Sequence, residues 1–330
     1  MKIDSHSSLS QEPHVNPRPA GLTTSTKQRV LVRETPKAYV WFAWFLKGSA
    51  AAYLIVLISM IFFETRLVFP GASTTAGDWS HSDISLEEVD FLSRDGTKLY
   101  GYFFPNPMSD RCILFCHGNG ENIAMNASEM DVLRKRLNAS VFVFDYRGFG
   151  KSQGTPWEEG IFADAEAASQ WLANRSQQSA EDQIIMGRSL GGGVAVHLAA
   201  LLDPKAIILD RTFSSAVEVA AERYWWLPVR IVMRNQFWSS VKIKKYSGPL
   251  LQMHGDADES IPMWSAKKLF LSSPSEDKTF IEIPGLTHNQ AWQDDLLDKL
   301  KVFLERLDND ESLEIEDEPV DIEMSEVNGR

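Results

Sequence analysis

Short apolar runs alternate with helical patterns over residues 84–304, and no other feature of the chain constrains its fold as strongly. Two early runs, LEEVDFLS and KLYGYFF, flank Asp95 and Gly96, a dipeptide typical of a β-hairpin turn. Six later runs have the continuous apolar character of buried parallel strands: RCILFCHG, SVFVFDY, QIIMG, AIILD, PLLQMHG and TFIEIP. Helical patterns lie between or after them at roughly 121–137, 160–174, 190–202, 263–273 and 290–306. The alternation predicts an α/β fold with an eight-stranded, mostly parallel sheet flanked by helices.

One interval breaks this alternation after the sixth apolar run. About 40 residues separate Asp210 from Leu250, which is more than one crossover helix needs. We therefore expect a short helical cap over about residues 212–247, lying across the strand ends. The interval carries an apolar cluster of Tyr224, Trp225, Trp226, Leu227, Phe237 and Trp238. Two interpretations stay open: the cluster lines an apolar substrate pocket, or it only packs the cap onto the body.

A long apolar segment near the amino terminus predicts a transmembrane helix over residues 41–66. The span from Trp44 to Phe63 has 20 residues, with Lys47 near its start and no charge over 48–63. At about 1.5 Å per residue, 20 residues match a hydrocarbon core of about 30 Å. The alternative is a helix buried in a protein core.

The charges that flank this segment indicate an orientation. Five basic residues lie close to its amino-terminal side, whereas Arg66 alone follows it closely; the five are Lys27, Arg29, Arg33, Lys37 and Lys47. Basic flanks favour the cytoplasmic side. We expect the amino terminus in the cytoplasm and the folded domain on the non-cytoplasmic side.

The two ends of the chain differ in charge from the body. Residues 1–40 are polar and rich in serine and proline, and we expect a disordered cytoplasmic arm. Residues 307–330 carry ten acidic side chains and one basic side chain, which predicts a disordered acidic tail. The folded domain is then expected over 67–306. The whole chain has a net charge of −12 without a basic stripe, so nucleic acid is not an expected partner.

The two cysteines of the chain, Cys112 and Cys116, fall in one predicted strand. Four residues of strand separate them by about 13 Å, too far for a disulfide. The pair is also a poor metal site, so we expect both thiols to pack in the core. The sequence predicts no metal and no cofactor.

Ser189 lies in the sequence IIMGRSLGGG, directly after an apolar run, and with Gly187 and Gly191 it matches G-x-S-x-G. In a sharp strand-to-helix turn this pattern exposes a serine hydroxyl as a nucleophile. The predicted helix that begins at once directs the positive end of its dipole toward the site. The alternative is an ordinary serine in a glycine-rich turn, so a base and an acid must come from elsewhere.

A serine nucleophile needs a neighbouring base, and His288 is the prediction. His288 follows the last predicted strand, whereas His117 and His254 each open a His-Gly turn that a histidine can brace. The predicted carboxylate is Asp258, which follows the seventh strand in HGDADESIP, with Asp210 as the alternative. The order Ser, Asp, His is that of α/β-hydrolases. Asp256 of the same loop is expected to hold the turn instead.

An oxyanion hole requires two backbone N–H donors. One is expected from Leu190, the residue after the nucleophile. The other is expected from Asn119, in the CHGNGEN loop after the third strand.

The motifs HGNGEN, FDYRGFGKSQGTP, GRSLGG, LDRTFSS and HGDADESIP together resemble the α/β-hydrolase superfamily over about residues 84–304. With FFETRLVFP after the apolar span, the chain resembles the membrane-anchored serine hydrolases of that superfamily, a group that includes lipases, lysophospholipases and protein depalmitoylases. The resemblance implies an α/β-hydrolase fold, with the residues named above as triad and oxyanion donors. It also implies that residues 145–154 form a loop near the mouth of the site, in which Arg147 braces the structure.

The function that follows is a membrane-anchored serine hydrolase that cleaves carboxylic esters or thioesters through an acyl-enzyme. A small acyl or lipid substrate is expected, with the membrane reached through the apolar helix; the sequence identifies no protein partner. A serine peptidase or amidase of the same fold is the alternative, because the same triad serves amides. A third possibility, of another class, is a non-catalytic membrane-tethered binding protein. Arg188, inside the nucleophile motif, has no chemical task that the sequence assigns.

Overall fold

A computed structural model describes residues 37–71, 76–81 and 83–309. Most of the predicted arm and the tail from residue 310 onward therefore lie outside the described residues. The chain divides into two units, Met1–Ala52 and Tyr53–Arg330. In the first unit, residues 37–52 are helical. The second unit holds the sheet, its flanking helices and the candidate site.

Helix α1 (Lys37–Val68) contains the apolar segment and exceeds the predicted span at both ends. It is the one helix of the described residues long and apolar enough to cross a membrane, by length and composition. The expectation of disorder was wrong for residues 37–40, which are helical because no glycine or proline interrupts the sequence between Lys37 and Lys47. The helix ends before Pro70, since proline disfavours helical backbone in the residue preceding it.

Eight strands form one sheet within the described residues: β1 (Glu87–Leu92), β2 (Lys98–Phe104), β3 (Cys112–Cys116), β4 (Ser140–Asp145), β5 (Ile184–Arg188), β6 (Ala206–Asp210), β7 (Leu250–Gly255) and β8 (Lys278–Ile283). Their spatial order is β1-β2-β4-β3-β5-β6-β7-β8. The β1–β2 and β2–β4 pairs are antiparallel, and the remaining pairs are parallel. The predicted eight-stranded, mostly parallel sheet is confirmed.

Helices cover both faces of this sheet: α2 (Ile123–Arg136), α3 (Glu158–Ser176), α4 (Leu190–Leu202), α5 (Ala216–Arg223), α6 (Val229–Val232), α7 (Ser239–Lys242), α8 (Met263–Ser272) and α9 (Asp294–Asn309). Helix α9 runs past the predicted domain end at 306, so disorder was the wrong expectation for residues 307–309. Asp308 accepts hydrogen bonds from Lys205 at 2.7 Å and from Arg111, and these contacts hold the last helical turn.

The core consists of two apolar clusters, one on each face of the sheet. Strands β3 to β6 are buried at every position, which explains why their sequences are continuously apolar. Cys112 and Cys116 are both buried free thiols, in agreement with the core packing expected of them. Because β3 to β8 run in the same direction, their carboxyl ends lie at the same edge of the sheet, where polar side chains can converge.

The interval after β6 forms the short helices α5, α6 and α7. Val217, Leu227 and Val229 are buried in a small cluster of their own, against Leu57 and Met60 of α1. Four further side chains from the two ends of the interval are buried in the main core: Phe213, Phe237, Ile243 and Tyr246. The interval is thus anchored at both ends, and its middle lies beside the second half of α1. We refer to residues 212–247 as the cap.

Candidate active site

Ser189 lies in a sharp turn between β5 and α4. Its backbone has φ 53° and ψ −117°, a conformation that L-residues rarely adopt and that costs free energy. The neighbouring glycines make the turn possible, because a Cβ on Gly191 would lie 1.9 Å from the Cys116 carbonyl oxygen and one on Gly187 would lie 2.2 Å from the Gly191 carbonyl oxygen. A strained serine between obligatory glycines is the geometry of a nucleophile elbow.

The structure brings the three residues of the predicted triad together. His288 Nε2 lies 3.0 Å from Ser189 Oγ, and His288 Nδ1 lies 2.7 Å from Asp258 Oδ2. The three residues come from the loops after β5, β7 and β8. In this arrangement the imidazole can accept the serine proton while its other nitrogen donates to the carboxylate.

Asp258 is held in its charged form. Burial disfavours the carboxylate, but hydrogen bonds from His288 and from the Ile261 amide outweigh burial and lower the pKa of the carboxyl. Oδ1 accepts the amides of Ser260 and Ile261, both at 2.9 Å, which leaves Oδ2 directed at the imidazole. A carboxylate fixed in this way selects the histidine tautomer whose Nε2 is free to act as a base.

The two predicted oxyanion donors flank Ser189 in the same cleft. Gly118 of the loop after β3 is adjacent, since a Cβ there would lie 3.6 Å from the Ser189 Cβ. The Asn119 side chain donates to the Val68 carbonyl at 2.5 Å, so the loop is tied to the end of α1. Among the backbone hydrogen bonds outside helices and strands of the described residues, none is donated by the Asn119 or the Leu190 amide.

The competing histidines serve their own loops. His117 Nδ1 contacts the Gly118 carbonyl oxygen at 2.8 Å, and His254 Nε2 contacts the Ile261 carbonyl oxygen at 2.9 Å. Burial lowers the pKa of both rings. Each histidine is therefore a neutral brace, as the His-Gly turns indicated.

Asp256 and Arg147, which the sequence assigned to structural roles, have partners outside the triad. Asp256 Oδ1 accepts the Gly285 amide at 2.6 Å and so joins the loops after β7 and β8. Arg147, in the loop after β4, donates to Asp164 at 2.8 Å and to Asp95 at 2.9 Å. These contacts agree with the turn and bracing roles expected from the sequence.

Arg211 is a residue of the site that the sequence did not single out. It is fully buried, and its guanidinium forms a two-pronged pair with Asp210 at 2.8 and 2.7 Å. Its remaining nitrogen donates to the backbone carbonyls of Thr287, His288 and Gln290 at 3.1, 2.9 and 2.6 Å. Arg211 therefore ties the loop that carries the histidine to the end of β6.

Arg188 also has a task in the structure. Its guanidinium contacts Asp210 at 3.2 Å and Glu129 at 2.8 Å, and it lies 4.3 Å from the centre of the Trp292 ring. Burial disfavours the guanidinium charge, but the surrounding carboxylates outweigh it and raise the Arg188 pKa. Trp292 Nε1 in turn donates to Asp210 at 2.8 Å. Asp210, the alternative carboxylate, is thus the centre of a buried ionic network rather than a partner of His288.

A cleft of about 680 Å³ opens beside Ser189 and His288. Its walls come from the cap and from the last turns of α1, and they include Met60, Leu67, Phe213, Tyr224, Trp226 and Leu227. The lining is mostly apolar, and Ser189, His288, Asn119 and Leu190 all belong to it. Among the described residues, no group of three or more His, Cys, Asp or Glu side chains is arranged to hold a metal ion.

Comparisons with known proteins agree with this fold. Residues 111–232 match the family model for the alpha/beta hydrolase fold. An uncharacterized protein of Mycobacterium tuberculosis is 34% identical over 74% of this chain and 86% of its own length. An uncharacterized membrane protein of Saccharomyces cerevisiae is 30% identical over 79% of this chain and 95% of its own. Among solved structures, an esterase of Pyrococcus furiosus superposes with a TM-score of 0.57 at 18% identity, covering 70% of this chain and 96% of the esterase.

The chain belongs to the α/β-hydrolase family, as its motifs indicated. The family and the fold support a hydrolase that acts on a small molecule. A membrane location has weaker support, from one long apolar helix and from the name of the yeast relative.

Proposed function

We propose that this protein is a membrane-anchored serine hydrolase that cleaves carboxylic esters or thioesters of acyl or lipid substrates. The observation that carries the proposal is the continuous contact from Ser189 Oγ through the His288 ring to Asp258, at 3.0 and 2.7 Å. A serine that is both strained and hydrogen-bonded to a histidine is prepared for nucleophilic attack.

In the proposed reaction, Ser189 Oγ attacks the substrate carbonyl carbon while its proton passes to His288 Nε2. Asp258 stabilises the imidazolium, and the Asn119 and Leu190 amides donate to the oxyanion. Collapse of the tetrahedral intermediate expels the alcohol or thiol, which takes the proton from His288 and leaves an acyl-serine. Water then loses a proton to His288 and attacks the acyl carbon. Collapse of the second tetrahedral intermediate releases the carboxylic acid, and His288 returns the proton to Ser189 Oγ.

The apolar lining of the cleft favours an acyl chain as the part of the substrate that binds there. Apolar walls with a few polar groups at one end are typical of sites that hold a hydrophobic ligand and orient one functional group. The P. furiosus relative in fold is named an esterase, which is consistent with ester chemistry.

The activity is tested with the full chain in detergent and p-nitrophenyl esters of increasing acyl length. Wild type should hydrolyse them, and Ser189→Ala should lose at least about a thousandfold in kcat/KM. Ser260→Ala is the matched control, because this serine also lines the cleft and should leave hydrolysis nearly unchanged. Equal rates in wild type and Ser189→Ala would contradict the proposal. A parallel series of p-nitroanilides tests whether amides are cleaved instead.

The proposed anchoring has the amino terminus in the cytoplasm and the catalytic domain on the other side of the membrane. The basic residues before the apolar segment support this orientation. In sealed vesicles of cytoplasmic-side-out orientation, a tag after Arg330 should resist protease until detergent is added. Digestion of that tag in intact vesicles would reverse the orientation and leave the hydrolase assignment unaffected.

A further inference from the structure

The cap carries an exposed apolar surface that the proposed chemistry does not use. Trp225 is 82% exposed and Ile231 is 85% exposed, and Tyr224 and Trp226 beside them are also exposed. We call these four residues the cap patch. Large aromatic and aliphatic side chains grouped in water are costly, and such a group marks a binding surface.

The sequence that contains the cap patch is basic. Residues 223–233 contain two basic side chains, Arg223 and Arg230, and no acidic one, in a chain of net charge −12. Arg223 and Arg230, which immediately flank the patch in sequence, are exposed. Tryptophan and tyrosine beside arginine are typical of segments at the boundary between headgroups and acyl chains, where arginine can donate to the phosphate groups that phospholipids of either leaflet carry.

The cap also lies against the second half of α1. Tyr53 Oη donates to the Trp226 carbonyl at 3.1 Å, and Arg234 Nε donates to Glu64 at 2.6 Å. Tyr53 and Phe63 both belong to the apolar part of α1. Lipid that surrounds residues 53–63 would therefore contact the cap as well.

The cap patch is continuous with the candidate active site. Tyr224 and Trp226 are exposed on the outside and also line the cleft that contains Ser189. Met60 and Leu67 of α1 line the same cleft. An acyl chain between the cap and α1 would thus pass from lipid to the serine along apolar side chains.

We propose that the cap patch is immersed in the membrane leaflet beside α1, with Arg223 and Arg230 extended toward the lipid phosphates, so that the cleft takes its acyl substrate directly from that leaflet. This inference rests on the anchoring in the proposed function. It adds to the anchor a second membrane contact, which fixes the height of the cleft mouth relative to the lipid.

The experiment uses the full chain in phosphatidylcholine vesicles, with and without phosphatidylglycerol. An environment-sensitive NBD label is attached at Ile231→Cys or, as the control, at Met108→Cys. The two positions are 85% and 86% exposed, but Met108 lies in the β2–β3 loop at the opposite edge of the sheet. Native Cys112 and Cys116 are buried, so the label reacts at the introduced cysteine.

The label at 231 should emit at shorter wavelength in vesicles, resist iodide and be quenched by nitroxide-labelled acyl chains. The label at 108 should be quenched by iodide and not by the nitroxide lipid. Phosphatidylglycerol should increase the shift at 231, and the double variant Arg223→Gln/Arg230→Gln should lose that increase. Equal iodide quenching at 231 and 108 would overturn the proposal, and an increase retained in the double variant would overturn the part given to the two arginines.

Two measurements on the same vesicles separate this inference from the proposed function. Carbonate extraction reports whether the chain is anchored, and a fluorophosphonate probe reports whether Ser189 is reactive. An anchored, reactive protein with a water-exposed label at 231 contradicts only the docking of the cap. An anchored protein with a lipid-exposed label at 231 and an unreactive Ser189 contradicts only the hydrolase.

Discussion

The catalytic edge of the sheet and the middle of the cap that covers it are packed differently. At the edge, Asp210 and Arg211 are completely buried and connected to the His288 loop by charged hydrogen bonds. In the cap, Val217 and Leu227 are buried in a small apolar cluster, while Trp225 remains exposed. Charged hydrogen bonds are directional and fix positions, whereas apolar contacts tolerate repacking. We infer that the edge sets the chemistry and the cap sets which acyl group reaches it.

The largest effect is expected from Asp258→Asn at the catalytic edge. The amide cannot replace a carboxylate that fixes the His288 tautomer, so kcat for p-nitrophenyl esters should fall by about 10⁴-fold. Asp256→Asn is the matched control in the same loop, since this side chain accepts the Gly285 amide instead of contacting His288. Similar kcat values in the two variants would remove Asp258 from the proposed triad.

Arg211→Ala should be the most destabilising change at the same edge. It leaves Asp210 with less compensation for its buried charge and removes the donor to the carbonyls at 287, 288 and 290. Breaking a buried ion pair costs about 3–5 kcal/mol, so the free energy of unfolding measured with urea in detergent should fall by about that amount. Arg211→Lys retains the charge without the two-pronged geometry and should recover part of the stability. If Arg211→Ala were as stable as wild type, the network would not hold the His288 loop.

In the cap, Leu227→Ala tests whether apolar packing selects the acyl group, in contrast to the charged contacts that position the groups of the catalytic edge. The substitution removes packing against Leu57 and Met60 and enlarges the cleft, because Leu227 belongs to both. Loss of a buried leucine costs about 2–3 kcal/mol of folding stability when neighbours relax. Separately, the lost contact with the acyl chain should raise KM for longer acyl esters, with little change in kcat for short ones. A kcat that falls equally for every acyl length would mean that the cap contributes to the chemistry as well.

A smaller effect is expected from pH through Asp145, which lies below the oxyanion loop. Burial raises the pKa of this carboxyl to about 7, although it accepts the Ile123 and Lys151 amides. At Asp145 the folded chain then binds more protons than the unfolded chain from about pH 4 to pH 7, so the contribution of this group to stability is greatest below about pH 4 and is lost as pH rises through 7. The free energy of urea unfolding of wild type minus that of Asp145→Asn should therefore fall across this range, since the other carboxyls contribute to both proteins. A difference that stays constant or rises with pH would contradict this assignment, and Asp298→Asn is the exposed control.

The catalytic edge could be predicted from the sequence more completely than the cap could. Ser189, Asp258 and His288 each follow an apolar strand directly, and parallel strands end at one edge, so sequence position is enough to bring them near one another. The tasks of Arg188 and Arg211 could not be predicted, because their partners come from strands and loops far apart in sequence. The position of β4 between β2 and β3 was likewise not contained in the order of the runs.

The cap and α1 show a second limit of sequence reasoning. The length and apolar character of the segment predict a membrane span. They do not predict that Leu57, Met60 and Glu64 form a face that contacts another part of the protein. This face packs on the cap, and Met60 and Glu64 also line the cleft. A single helix can serve as both an anchor and a wall of the site because its faces are used separately.

The central claim is that Ser189 is an activated nucleophile with His288 as its base. The most direct measurement is peptide mass spectrometry of the full chain after brief reaction with a fluorophosphonate, in wild type, His288→Ala and His254→Ala. The account predicts one adduct, on the peptide that contains Ser189, which disappears in His288→Ala and persists in His254→Ala. An adduct on another serine, or labelling of Ser189 at an unchanged rate without His288, would contradict it.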